Sequence, residues 1–552
     1  MNRTPSEEEM LAEVQGIEGL REARVTAKRR VEAHVSAGAL RGVIDALLAR
    51  HGFLHLSAIS GMDTGDDIAL VYHLAFDGLV LSVFTRVPRE RPEIDSIVDL
   101  VPGASAQERE LHDLLGVMPR GNEHLAPLVL PEEWPDDVYP LRKDAPAGKM
   151  RPANPGSPVI RDSSEYNLPV GPQHPALKEP ESFRFKVEGE IVTGIDVRLG
   201  YSHRGIEKAC ESRTYMQCLY LIERICGICS HSHLTAFAQG VEAILGLEVP
   251  RRAKYIRTIV GELERIHSHM MWLGVAGHEV GFDSLLMYAW RDREAVQDTL
   301  ELISGNRVNY AISTFGGVRR DIAPEQAEAV RDTIRQVESR LSFYEDVVGT
   351  EPTLAARLRN VGVLTKEQAL RHCTVGPVAR ASGVDLDLRR DDPYAAYEEI
   401  PFTVVTSDGC DLFARVTVKL REIGESLKIV RYALDNMPDG PISVKFPRRV
   451  TAGYAVSRYE APRGEDIHFI VADGLDHPVR VKVRAPTLAN IPAIIETMKG
   501  SYIADIPIII AGIDPCFSCT DRSVVLDDGG EPRRMTWEQL RRYGVEWYHD
   551  RI

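Results

Sequence analysis

Two C-x-x-C clips sit far apart in the chain and constrain its fold more than any other feature. The first is Arg224-Ile225-Cys226-Gly227-Ile228-Cys229, followed by His231 and His233. The second is Asp514-Pro515-Cys516-Phe517-Ser518-Cys519-Thr520-Asp521-Arg522, close to the C-terminus. Together they offer four thiolates, which suit a thiophilic transition metal or an iron–sulfur centre and suit magnesium or calcium poorly. Three explanations compete. A structural zinc site would use closed tetrahedral thiolate coordination. Zinc clips usually lie near each other and stabilise small units, however, and a large domain needs no zinc to fold. A dithiol–disulfide redox pair needs one clip only. A redox-active metal framed between two distant parts of the fold uses both. Metal binding is the expectation, with zinc the leading alternative.

The remaining cysteines, Cys210, Cys218, Cys373 and Cys410, are expected to be buried small hydrophobes. Cys210 and Cys218 fall in a helix predicted before the first clip. With no export signal in view, paired cysteines in a large chain read as metal or redox groups rather than structural disulfides. The first residues, MNRTPSEEEMLAEVQG, hold no apolar signal core. No run of about 18 apolar residues predicts a membrane span. The apolar stretch from Ile506 to Ala511 is too short for one and reads as a buried strand. A net charge of −15, from 66 Lys+Arg against 81 Asp+Glu, argues against a dedicated nucleic-acid binder.

The 552 residues predict more than one domain. The expected fold class is α+β: a small α+β N-terminal domain (1–145), a linker (146–166), a large mainly helical domain with peripheral strands (167–522) and a C-terminal tail (523–552). In the first domain, Ala39 to Arg50 has helical spacing, and a second helix covers Ser105 to Leu115. Ile68 to Phe76 and Leu79 to Phe84 alternate about Asp77-Gly78, a tight-turn dipeptide. The linker is rich in Pro, Gly, Ala and Ser and should run extended. The large domain opens with alternating strands, Phe183 to Val187 and Ile191 to Leu199. A long helix follows from Pro250, with apolar positions Ile256, Ile259, Val260, Leu263, Ile266, Met270 and Leu273. Short strands are expected near Val416 to Leu420 and Arg480 to Val483. The tail carries a capping box at Thr536 and Gln539.

The clips have informative neighbours. His233 is four residues after Cys229, on the same face if the segment is helical, where a ring N–H can donate to a ligand sulfur. Asp514 precedes the second clip. A carboxylate beside a thiolate-bound metal is costly unless paired, so an arginine partner is expected, with Arg463 the candidate.

The motifs R-I-C-G-I-C-x-x-x-H and D-P-C-x-S-C-T-D-R together resemble the nickel-binding motifs of NiFe hydrogenase large subunits. Arg522, where many uptake hydrogenases have His, is similar to the membrane-bound, energy-converting branch. Gly171 to Pro180, Tyr201 to Lys208, Gly261 to His269, Arg380 to Gly383 and Asp392 to Tyr394 also match that branch and the 49-kDa-type subunit of complex I. Glu108 to Val117 and Pro140 to Asp144 resemble the 30-kDa-type subunit, although Ala106-Gln107 stand where an aromatic residue often precedes E-R-E. The fusion of the two resembles large subunits of the formate hydrogenlyase and hydrogenase-4 type.

That resemblance implies reversible reduction of protons to dihydrogen at a nickel–iron centre, the iron carrying cyanide and carbon monoxide. Cys226 and Cys516 would be terminal on nickel, and Cys229 and Cys519 would bridge to iron. Glu179 matches the glutamate that takes the proton beside Cys516. Arg463 and Asp514 would form a charged layer over the metals, and His233 would hydrogen-bond a bridging sulfur. Glu207 matches a position that ligates a further magnesium or iron in many relatives. A maturation endopeptidase would cleave after Arg522, once chaperones had inserted nickel. Because the chain has no further cysteine clusters for its own iron–sulfur relay, an iron–sulfur small subunit is implied. A ferredoxin-like iron–sulfur subunit, antiporter-like membrane subunits and a formate dehydrogenase are the other implied partners, on the cytoplasmic side of the membrane. The alternative is a quinone-site or structural subunit of a complex I-like assembly, without metal.

Overall fold

The computed structural model describes residues 5–130, 134–135, 137–145 and 166–520. The linker apart from Tyr166, the tail with its capping box, and Arg522 with its cleavage position lie outside the described residues. The N-terminal domain is a five-stranded sheet of β1 (Leu20–Ala27), β2 (Arg30–Val35), β3 (His55–Asp63), β4 (Asp67–Phe76) and β5 (Leu79–Pro88), in the order β1-β2-β5-β4-β3. Helices α1 (Leu40–His51) and α2 (Ser105–Leu115) pack against it, and β2 pairs with β5 in parallel. The Asp77-Gly78 turn joins β4 to β5 as expected. Glycine is required there by a neighbour: a Cβ on Gly78 would lie 2.0 Å from the Asp391 carbonyl oxygen of the large domain.

The large domain begins with an antiparallel sheet of β6 (Tyr166–Val170), β7 (Ser182–Glu188) and β8 (Ile191–Arg198). Its core is helical: α3 (Ser230–Leu245), α4 (Arg251–Glu279), α5 (Asp283–Ser304), α6 (Pro324–Thr350) and α7 (Leu412–Asn436). The apolar stripe predicted from Pro250 is buried along α4. A second antiparallel sheet, β9 (Gly453–Ala461), β10 (Gly464–Ala472) and β11 (Arg480–Arg484), lies between this helical core and the N-terminal sheet. Two short helices close the described chain, α8 (Ile506–Gly512) and α9 (Phe517–Thr520). Among the described residues no helix is long and apolar enough to cross a membrane.

Four expectations need correction. Val416 to Leu420 is helical, inside α7. The local Val-Thr-Val run is β-prone, but Leu412, Val416, Leu420, Ile423, Leu427 and Val430 recur at helical spacing, and the Asp411 side chain caps the helix by accepting from the Ala414 amide. Ile506 to Ala511 is also a helix, α8; Pro507 near its start suits a first turn, where no amide is missed. Cys210 and Cys218 occupy two short helices, Ile206–Cys210 and Tyr215–Glu223, because Thr214 opens a capping box with Gln217 and starts a new one. Cys410 is only half-buried, while the other three of its group are buried.

Candidate metal centre

The first clip is placed by a helix start. Cys229 is the residue before α3, and Glu264 of α4 accepts the first free amides of that helix, from His231 at 2.7 Å and Ser232 at 3.1 Å. The second clip follows α8, where Asp514 adopts a left-handed φ of 53° and turns the chain into α9. The Cys516 amide donates to the Thr487 hydroxyl at 3.0 Å and fixes the clip to the helix Pro486–Met498.

These two supports bring the four sulfurs together. Cys226 Sγ lies 3.0 Å from Cys516 Sγ, Cys516 Sγ 3.0 Å from Cys519 Sγ, and Cys229 Sγ 3.4 Å from Cys519 Sγ. All four atoms lie within 4.8 Å of one another, and all four residues are buried. The S–H groups of Cys229, Cys516 and Cys519 stabilise Cys226 as a thiolate, which pushes the Cys516 thiol up to about 11. Four thiolates in one buried place require a cation among them, so the donor set fits a thiophilic metal.

The other predicted residues divide into two groups. Glu179, Arg463, Asp514 and His233 surround the sulfurs. The Glu179 carboxylate accepts from the Ser518 amide at 2.8 Å and from the Ser518 hydroxyl, so it is tied to the second clip itself. Burial, and then the Cys226 thiolate, push its pKa up. Arg463 donates to Asp514 Oδ1 at 2.8 Å, to the Asp514 carbonyl at 2.8 Å and to Ser268 at 3.1 Å. His233 Nε2 faces Cys519 Sγ at 3.5 Å. Glu207 lies elsewhere. Its carboxylate pairs with Arg480 at 2.7 Å, accepts the Val483 amide at 3.0 Å and has Lys482 at 3.9 Å, an environment of cations rather than of metal ligands.

Several residues of the centre escaped the sequence reading. Lys419 of α7 donates to Asp514 Oδ2 at 2.8 Å, so the carboxylate is clamped between two buried cations. Its pKa is lowered from the ordinary range, because Arg463 and Lys419 outweigh the burial that opposes ionisation. Asp466 of β10 accepts from His233 Nδ1 at 2.9 Å and from His468 Nε2 at 3.0 Å, behind the sulfur-facing edge of His233. No spacing signal links 419, 466 and 468 to the clips; the strand alternation of Asp466 and His468 was the one available hint. A cavity of about 210 Å³ reaches the cluster at Cys516 and is mostly apolar, with Leu177, Met271, Trp272, Val275 and Ile510 in its wall together with Glu179, Arg463 and Asp514.

Known proteins share this arrangement of segments. Residues 279–451 and 444–522 match the family model of the respiratory-chain NADH dehydrogenase 49 Kd subunit, and residues 33–151 that of the 30 Kd subunit. Residues 204–274, which hold the first clip, match the nickel-dependent hydrogenase model. Formate hydrogenlyase subunit 5 of Escherichia coli is 37% identical over 84% of this chain and 84% of its own length. The membrane-bound hydrogenase subunit alpha of Pyrococcus furiosus is 43% identical over 66% of this chain and 88% of its own length. A chain of the archaeal membrane-bound sulfane sulfur reductase, a respiratory membrane complex, superposes with a TM-score of 0.62 at 32% identity, covering 65% of this chain and 98% of that one. With a fused 30-kDa-like domain, both clips and this extent of identity, the chain belongs to the large subunits of membrane-bound NiFe hydrogenases of the formate hydrogenlyase and hydrogenase-4 type, and it is an oxidoreductase of the nickel–iron hydrogenase class.

Proposed function

We propose that this chain is the catalytic subunit that reduces protons to dihydrogen, reversibly, at a nickel–iron centre held by Cys226, Cys229, Cys516 and Cys519. The observation that carries this reading is the convergence of four buried sulfurs within 4.8 Å. Cys226 and Cys516 would be terminal on nickel, with Cys229 and Cys519 also bridging an iron bearing cyanide and carbonyl. When bound, the centre supplies the electrons and the site at which dihydrogen is made or split. The protein's own residues do the rest. Glu179 holds or releases a proton at its carboxyl oxygens beside the second clip, and burial, which raises its pKa, favours its taking up that proton. Arg463, anchored by Asp514, holds positive charge over the open face, where it would steady charge that develops on the sulfurs. His233, held by Asp466, directs Nε2 at Cys519. Apolar walls around the cavity limit water and admit a small neutral gas.

In the assembly, an iron–sulfur small subunit would deliver electrons, with a ferredoxin-like subunit behind it. Integral membrane subunits would hold the complex to the cytoplasmic face of the membrane, and the electrons would come from formate through a formate dehydrogenase, from carbon monoxide or from a ferredoxin. Nickel-insertion chaperones and an endopeptidase acting after Arg522 would precede activity. A magnesium or iron at Glu207 would have to displace Arg480 from that carboxylate.

Metal analysis of the purified complex tests the reading. Nickel and iron, with infrared bands of bound cyanide and carbonyl, are expected. Zinc would instead indicate a structural site, and absence of metal a complex I-like shell. Replacing the terminal ligand, Cys516→Ser, should eliminate nickel and hydrogen evolution and leave the tail uncleaved; normal turnover in that variant would refute the ligand assignment.

A further inference from the structure

Strand β10 is buried on both faces, and the two faces look at different parts of the molecule. Alternate side chains of a strand point to opposite sides. Asp466, His468 and Ile470 face α3: the first two contact each other and His233, and Ile470 packs in one apolar cluster with the four cysteines. Glu465 and Phe469 face the N-terminal sheet, where Phe469 meets His73 of β4 with ring centroids 5.1 Å apart.

Glu465 is the densest junction. Its carboxylate accepts from His55 Nε2 at 3.1 Å and Ser57 Oγ at 3.0 Å, both on β3 of the N-terminal domain. It also accepts from Arg458 Nε at 2.6 Å and pairs with Arg484, whose Nη1 donates to the Glu465 carbonyl at 2.6 Å. All five side chains are buried. Glu465 stands two residues from Arg463, at the end of the β9–β10 turn. From the other side that turn is held by backbone contact: a Cβ on Gly376 would lie 2.4 Å from the Arg463 carbonyl oxygen.

We propose that the N-terminal domain is a positioning element for the metal centre: through His55 and Ser57 it fixes Glu465, and with it the turn that aims Arg463 at the clips. The structure makes the first domain one wall of the clamp in which the catalytic-side turn is held. His55, Ser57 and Glu465 are positioning residues; none touches the sulfurs. The inference rests on Arg463 being the charged group over the metals, as proposed above.

The test uses the full complex with the double variant His55→Ala, Ser57→Ala. Expected are faster amide hydrogen exchange in residues 461–466, unchanged exchange in α4 and α5, retained nickel, and hydrogen evolution lower by up to about 10²-fold, the scale of an ångström-sized misplacement. His55→Gln, which keeps a donor, should restore most of both readouts. Lys143→Ala, which removes a rim contact between the domains to Glu211 and the Val479 carbonyl, should move neither. Unchanged exchange at 461–466, or equal losses in Lys143→Ala, would overturn the inference. If the double variant does not assemble, Ser57→Ala alone decides by the same exchange readout. That readout does not depend on metal, so absence of nickel from the wild-type complex would defeat the proposed function while leaving the positioning claim to stand or fall by itself.

Discussion

Ser518 sits between the two cysteines of the second clip and donates twice to Glu179, so the carboxyl group follows the clip wherever it moves. A proton carrier has to stay within hydrogen-bond reach of the atom it serves. A glutamine there keeps one oxygen to accept from the Ser518 amide, presents an NH2 to the Ser518 hydroxyl oxygen in place of the second acceptor, and loses the transferable proton. Glu179→Gln should therefore keep nickel and lower turnover by ~10²–10⁴-fold, the usual worth of a general acid–base. Full activity with full nickel would remove Glu179 from the proton path. At this scale the sequence was readable where chemistry is local. Two C-x-x-C clips point to their ligands by spacing, and a carboxylate at Asp514 beside a thiolate-bound metal calls for a cationic partner. Lys419, Ser268, Asp466 and His468 could not be read in the same way. They come from three elements distant in the sequence, and only the packing of α4, α7 and β10 around the clips brings them to one place.

Among the elements, α3 does the most to aim the first clip, and its first turn is capped from another helix. Glu264 lies wholly buried on α4, and that burial, against its three hydrogen bonds, pushes its pKa from 4.5 up to about 8. A carboxyl group whose folded pKa is raised supports folding fully below its unfolded pKa and loses that support as pH rises through the folded one. Stability of the wild-type protein should thus fall between pH 5 and 8, at roughly 1.4 kcal/mol per unit of the shift. Glu264→Gln imitates the protonated form, so its Tm relative to wild type should climb over the same interval. A Tm difference that is flat from pH 5 to 8 would mean that Glu264 is ionised throughout. The elements also show where periodicity misleads. Helices α1, α2 and α4 were legible because long amphipathic patterns have one solution. A six-residue apolar run such as Ile506 to Ala511 has two, strand or buried helix, and Pro507 tips it to helix. Val416 to Leu420 reads as strand only when cut out of the stripe from Leu412 to Val430.

Across the whole molecule, charge is buried on a scale that net composition does not reveal. Arg380 donates to Glu422 at 2.7 Å and to Glu460 at 2.8 Å; Glu422 also meets His269 at 2.8 Å; Arg389 joins Glu262 at 3.1 Å and Asp387 at 2.7 Å. The network ties α4, α7 and β9 together, one helix turn from Lys419 and hence from Asp514 at the metal centre. Desolvating so many ions stabilises little in net terms, but removing one partner leaves the others uncompensated in a low dielectric, at a cost of about 3–5 kcal/mol. Arg380→Leu should therefore destabilise the protein by that order. The defect should also depend on pH. Burial already raises Glu460, and Arg380 is the leading charge that opposes the rise. Arg380 is likewise the leading charge that holds Glu422 well below the usual range. Without the guanidinium both carboxyls shift upward, and they can be buried neutral once the pH falls beneath their new values. The loss of Tm in Arg380→Leu should consequently be largest at pH 8 and shrink toward pH 5, the opposite of what a simple cavity would give, since a cavity costs the same at every pH. A pH-independent loss would mean that the network is held by packing and not by charge, and that Asp514 is insulated from it.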